Sequence, residues 1–316
     1  MPKVRVSTVT TIRSSLADTL RFAAYHLALG IEEMFLFFDD PEDPAIEPLQ
    51  DIPGVSCTRC DDAYWSRHPA ESRTTLTRRQ EANADLALAR ARKRGHDWIL
   101  HLDGDELVYP QAGLDDILGD FDGDELRLGI CEAVPRREPG ESIFDASEFR
   151  SVPSRAQETI ARALGCGGAF FGGRFFRGHA RSKTAVRTSA TISGMGVHAA
   201  RWTPKREVTE RSRQLLLLHF DGTGARSWKE KWTLRLERDA EKESWGPPRR
   251  AQFDLFKQAL PAGEAAIREA HWRLYGLSTY QRAVLRGLRM LRRIEIDPRS
   301  FELPEVERPR RVGGRS

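Results

Sequence analysis

No stretch of this 316-residue chain approaches the roughly 18 consecutive apolar residues that a membrane-spanning helix needs. The opening segment MPKVRVSTVTTIRSS has no apolar signal core. Export is therefore not expected, and the sequence reads as cytoplasmic, or peripheral on the inner membrane face. Cysteine is scarce, with only Cys57, Cys60, Cys131 and Cys166. The CTRC pair alone has ligand-like spacing, and no second pair completes a zinc site, so reduced thiols are expected. There is no GxxxxGK[ST] loop, which excludes a P-loop, and no GxSxG elbow to support a serine hydrolase. GMGVHA fits the loosest dinucleotide fingerprint, but Trp202 and Pro204 follow it instead of a helix. No repeat of about 20 residues or more is present.

What is present suits a core-forming chain: 40% hydrophobic and 30% charged residues. The net charge of +4 is unevenly placed. Residues 281–316 hold ten arginines against five acidic residues, so the remainder is close to neutral. The basicity belongs to a tail and says little about the main domain. The sequence divides into a catalytic domain over 1–240, a helical C-terminal extension over 241–303, with the proline pair 247–248 near its start, and a disordered tail over 304–316, rich in Pro, Arg and Gly.

KVRVSTVTT (3–11) has strand composition. Ser14 and Ser15 are placed to cap a helix from Leu16 toward Leu29, with Leu16, Leu20, Ala23, Ala24 and Leu27 on its inner face and Gly30 as its stop. EEMFLFFDD predicts a second strand parallel to the first, and GVSCTRC a short third. A long helix over 75–94, with Leu76, Ala84, Leu88 and Ala91 inward, precedes the strand in GHDWILHLDGDE. Strands are also expected over 125–135 and 213–222, β-rich structure over 182–202, and a polar helical region after Ser227. This order predicts an α/β fold with a mixed, mostly parallel sheet flanked by helices. Such sheets bind ligands beyond the carboxyl ends of their strands.

Two strands end in acid there: Asp39 and Asp40 close one, and Asp103, Asp105 and Glu106 close another. Carboxylates crowded at the end of a core strand repel each other and call for a positive partner. A divalent cation answers that need, since Mg²⁺ and Mn²⁺ favour oxygen ligands and often share them with substrate phosphates. Asp-Gly-Asp is also a common turn, and it recurs at 122–124 in a polar context. What singles out Asp103 is its place directly after the apolar run of a predicted strand.

Four segments together resemble the GT-A-fold glycosyltransferases, near the family 2-like bacterial enzymes: AAYHLALGIEEMFLFFDD (23–40), RQEANADLALARARKRGHDWILHLDGDELVYP (79–110), GHARSKTAVR (178–187) and GVHAARW (196–202). The resemblance spans roughly residues 3–235. It implies a metal-dependent transfer of sugar from a nucleoside diphosphate sugar, with Mn²⁺ or Mg²⁺, to a cell-surface glycan or lipid-linked acceptor. Asp103 and Asp105 match the DxD motif, Asp105 as the direct ligand and Asp103 toward ribose or the metal through water. Asp39 and Asp40, with Thr10 on the first strand, fall on the nucleoside side. His198 and His219 both match the late metal-ligating histidine. The chain departs from the pattern after the first strand, where TIRSS replaces the usual Asn-Glu.

Other candidates are Lys183 and Arg187, which share a strand face and suit diphosphate oxygens, or else form a solvated face. An inverting transfer needs a carboxylate base, for which Glu132 and then Asp221 are the candidates. The segment over 165–178, with six glycines and four phenylalanines, reads as a mobile acceptor-side loop or as core with tight turns. Residues 280–296 predict a basic amphipathic helix, with Val284, Leu285, Leu288 and Leu291 opposite Arg282, Arg286, Arg289 and Arg293. That helix would lie on an anionic membrane or pack on the domain; no nucleic acid is expected. The competing readings are a nucleotidyltransferase of related fold and a non-catalytic membrane- or nucleic-acid-binding module.

Overall fold

The computed structural model describes residues 3–138, 140, 142–178, 181–206, 208, 211–237 and 246–303. The tail expected over 304–316 lies outside the described residues. The chain forms two compact units, one from Met1–Gly104, Val186–Arg206 and Asp297–Ser316, the other from Asp105–Ala185 and Glu207–Ile296.

The first unit runs β1 (Val6–Ile12), α1 (Leu16–Ala28), β2 (Glu33–Phe38), α2 (Ile46–Leu49), β3 (Val55–Arg59), α3 (Asp62–Trp65), α4 (Leu76–Arg94) and β4 (Trp98–His101). In the second unit follow β5 (Glu106–Pro110), α5 (Leu114–Gly119), β6 (Glu125–Ala133), β7 (Glu148–Ser151), α6 (Arg155–Ala163) and β8 (Thr184–Arg187), whose last two residues belong to the first unit. A short hairpin in the first unit holds β9 (Gly194–Met195) and β10 (Ala200–Arg201). The second unit then continues with β11 (Arg211–His219), α7 (Ala225–Glu237), α8 (Pro247–Ala259), α9 (Glu264–Tyr275), α10 (Thr279–Gly287) and β12 (Leu291–Arg293). The architecture is α/β, as the order of apolar segments predicted.

In the first unit β4, β1, β2 and β3 lie side by side and all parallel. Every residue of β1 and β2 is buried, the pattern of a parallel strand covered on both faces. Ser15 caps α1 by accepting the Asp18 amide, and Gly30 follows its end at φ 96°. The buried face of α1 is Phe22, Ala23, Ala24, Tyr25 and His26, whereas Leu16 is exposed, contrary to the inward face read from the sequence. Thr75 caps α4, and Gly95 ends it in the left-handed conformation that glycine adopts without strain. Small residues Ala84, Ala87 and Ala91 let α4 approach the sheet, and Leu76 is exposed.

In the second unit β11 is central: it pairs parallel with β6 and antiparallel with β5. Beyond β6 come β7 and β12, each antiparallel to its neighbour. Helices α7, α8 and α9 close around Trp228, Trp232, Phe256, Leu274 and Tyr275. The glycine- and phenylalanine-rich segment is core: Phe170, Phe175 and Phe176 are buried with Leu285, Met290 and Leu291. The helix expected over 280–296 stops at Gly287, and the chain re-enters as strand β12. Its apolar residues Val284, Leu285, Leu288 and Leu291 are all packed in that core, so no apolar face remains for a membrane surface. No helix among the described residues is long and apolar enough to cross a membrane.

Candidate active site

In the first unit the acidic strand ends are held by α4. Asp39, just past β2, accepts Nη2 of Arg79 at 3.2 Å and has Arg79 Nε in ion-pair contact at 2.7 Å, with Arg13 Nη1 3.9 Å away. Asp103 accepts the Gln80 side-chain amide at 2.9 Å. Adjacent residues of the first turns of α4 thus orient both carboxylates. Asp40 instead builds a turn, accepting the Glu42 amide at 2.9 Å. Thr10 is fully buried inside β1. A side chain at Gly104 would come within 2.8 Å of Ser14 Oγ, so glycine lets the motif pass that serine closely. His198 lies half-buried in the turn between β9 and β10.

In the second unit strand register does the positioning. His219 on β11 stands opposite Glu106 on β5 and opposite Glu132 on β6, and Glu132 stands opposite Arg150 on β7. Residues directly opposite share a face, so four ionisable side chains form one row across four strands. Asp105 precedes β5, and its Oδ2 is 3.8 Å from His219 Nε2. Beyond β11, Asp221 Oδ1 is 2.7 Å from Lys231 Nζ on α7, and the same ammonium is 3.7 Å from Asp105 Oδ2. Burial works against the His219 imidazolium, but Asp105, Asp221 and Glu106 outweigh it and raise the pKa. Burial works against the Asp221 carboxylate too, yet Lys231 and His219 hold its pKa far below the usual range. Tyr275 is pushed the other way, well above its ordinary value, by burial and by the nearby charges of Asp221 and Glu132.

Glu132, the first candidate for a base, is spoken for. It is fully buried, accepts the backbone amides of Arg177 and Gly178 at 2.8 and 2.6 Å, and pairs with Arg150 Nη1 at 3.3 Å. Through these bonds it anchors the chain over 177–178. Lys183 is likewise withdrawn: it is 1% exposed, with Glu106 Oε2 3.6 Å from its ammonium. Arg187 lies with its guanidinium 4.5 Å from the centre of the Trp98 ring.

The residues that pattern reasoning missed are Arg79, Gln80, Arg150, Arg177 and Lys231. Arg79 and Gln80 sit in the quoted helix, three to four positions from the next inward residue, where helical spacing points them at the strand ends. Nothing in the polar segment around Lys231 marks it; only the fold brings α7 to Asp221.

The donor atoms of Asp105, Asp221 and His219 are of the kinds that Mn²⁺ and Mg²⁺ accept. Among the described residues no three His, Cys, Asp or Glu converge as a complete cage. An ion there would have to take most of its shell from water and substrate phosphate, with the Lys231 head, 37% exposed, turned aside.

No protein-family model matches the chain. Two curated relatives do, both from Arabidopsis thaliana. The glycosyltransferase-like protein At2g41451 is 28% identical over 231 residues, 63% of this chain and 49% of that protein. The glycosyltransferase-like protein At3g57200 is 27% identical over 146 residues, 39% of this chain and 28% of that protein. The chain has glycosyltransferase-like homologues, and it spans half or less of the length of the two. Among solved structures it is similar to 4-diphosphocytidyl-2C-methyl-D-erythritol synthase from Anaerococcus prevotii, with 16% identity, 48% of this chain and 66% of that one covered, and a TM-score of 0.27. It is also similar to the galactosyltransferase LgtC solved with donor and acceptor sugar analogues, with 16% identity, 41% and 46% covered, and a TM-score of 0.21. Scores of this size leave the fold to be argued from strand order and register.

Proposed function

We propose that this chain is a GT-A-type glycosyltransferase, similar to family 2, which moves a hexosyl group from a nucleoside diphosphate sugar to an acceptor hydroxyl with inversion. The observation that carries the reading is the Asp103-Gly104-Asp105 motif at the end of a buried parallel strand, with His219 beside its second aspartate. The glycosyltransferase-like relatives support it.

In this reading Asp39 and Asp103, oriented by α4, face the nucleoside and ribose. Asp105 and His219 would hold a Mn²⁺ or Mg²⁺ ion, which supplies positive charge to a departing diphosphate. Lys231 and His219 hold the pKa of the Asp221 carboxylate far below the usual range, against its burial, which makes it a poor proton acceptor. Its task is to hold Lys231 beside Asp105, where the ammonium is available to a phosphoryl oxygen. The acceptor is a glycan or lipid-linked saccharide.

A thermal-shift panel of nucleotide sugars, each with Mn²⁺ and with chelator, tests the reading. One nucleoside diphosphate sugar is expected to raise the melting temperature in a metal-dependent way, and Asp105→Asn is expected to abolish the rise. If no donor stabilises the protein with or without metal, the reading fails. Product analysis by NMR then reads the anomeric outcome, and a retained configuration would remove the inverting course.

A further inference from the structure

The second unit contains a cavity of about 670 Å³ that the proposed transfer does not use. Its wall comes from the chain after β6, the start of β7, the end of α9, and α10 with β12. Six arginines line it, namely Arg136, Arg137, Arg273, Arg282, Arg286 and Arg293, against a single carboxylate, Glu148. Glu148 is consumed locally: it pairs with Arg282 and with Arg286. Arg293 pairs with Glu295, both strongly exposed, an ion pair of little strength. Arg137 lies 5.7 Å from the centre of the Trp272 ring. Burial lowers the Arg282 pKa and the like charge of Arg286 lowers it further, while one carboxylate, Glu148, serves both.

Five of the six arginines are exposed and Arg282 is half-buried, yet all six share one concave lining, where their charges add. Guanidinium is also the group whose planar fork matches phosphate oxygens in pairs. The cavity exceeds what a single phosphate fills, and Trp272, Ser278 and Gln281 add a ring face and neutral polar groups beside the arginines.

We propose that this arginine-lined cavity is a binding site for a phosphorylated ligand carrying at least two negative charges, either a soluble phosphoester or a phospholipid headgroup. The site is built from α9, α10 and the β6–β7 connection, and it stands independently of the donor reading. The exposed Arg136, Arg137 and Arg273 set its affinity, while Arg282 and Arg286 shape its floor through Glu148.

Isothermal titration of the full chain with inorganic pyrophosphate, in chelator and at low salt, tests it. Wild type and Asp105→Asn are both expected to bind, with an affinity that falls as salt rises. The triple variant R136Q/R137Q/R273Q is expected to lose about tenfold or more. The triple Lys variant keeps the charge but not the forks, and is expected to fall between the two. Unchanged melting behaviour confirms that the variants fold, since all three side chains are exposed. Flotation with phosphatidylcholine vesicles, with and without phosphatidic acid, separates the sources. Capture by the acidic vesicles that pyrophosphate reverses assigns the headgroup, and pyrophosphate binding without capture assigns a soluble phosphoester. No heat at millimolar pyrophosphate, equal affinity in the triple Gln variant, or loss of binding in Asp105→Asn overturns the proposal.

Discussion

Lys231 Nζ lies 2.7 Å from Asp221 Oδ1 and 3.7 Å from Asp105 Oδ2, so one ammonium links two carboxylates contributed by different loops. With that cation removed, the two acids keep His219, and Asp221 also keeps the more distant charge of Arg249. Lys231→Met is expected to lower stability by about 1–2 kcal/mol, less than a fully buried pair because the lysine head reaches water. Urea unfolding reads this. Mn²⁺ is expected to restore more of the loss in Lys231→Met than it adds to wild type, and an equal metal effect in both proteins would count against Asp105 and Asp221 as neighbours of the ion.

Glu132→Gln is expected to act on folding. The variant leaves Arg150, which is fully buried, without its charge partner and weakens the hold on the Arg177 and Gly178 amides. A loss of about 3–5 kcal/mol is expected from denaturant unfolding. A variant that keeps wild-type stability and loses only turnover would return Glu132 to the role of base.

Gly222 follows Asp221 at φ 77°, and an added Cβ would lie 2.3 Å from the Tyr275 ring. The ring is fully buried and cannot retreat. Gly222→Ala is expected to cost about 3 kcal/mol, from backbone strain and overpacking together. In the Tyr275→Leu background the cost is expected to shrink, and a double-mutant cycle measures the coupling.

His26 is fully buried on α1, with Nδ1 2.9 Å from the Phe22 carbonyl, and burial lowers its pKa to about 4. The unfolded chain takes up this proton near the ordinary value of about 6.5 while the native protein refuses it until about pH 4. The His26 contribution is therefore level above pH 6.5 and falls as pH drops from about 6.5 to 4, by about 3 kcal/mol. His26→Gln is expected to flatten that part of the profile, read from urea midpoints across the range.

The first half of the chain was largely legible because its signals are local. A serine cap, a stopping glycine and unbroken apolar runs mark α1, β2 and β4, and parallel strands buried on both faces leave little ambiguity. The acidic strand ends were equally plain. The inward faces of the helices were read less well, since Leu16 and Leu76 look like core residues until the fold puts Phe22 and Ala87 in their place. In the second half, meaning comes from register. Glu132 looked like a base because an acid ends a strand, yet its position opposite Arg150 and under two amides depends on pairings that no local pattern encodes. The stretch 280–296 kept helical spacing across a real break, because leucines of a short helix and of an edge strand both face one core.

The first unit is assembled from three separated stretches of sequence. The hairpin that packs on α4 arrives through Asp85, which binds the Met195 amide and Arg201, and Phe301 stacks on Tyr25 of α1. A ribosome therefore delivers the four parallel strands long before it delivers the pieces that cover them. The nascent chain must keep an unfinished apolar layer shielded until Phe301 has emerged, and no single contiguous stretch of the gene yields this unit alone.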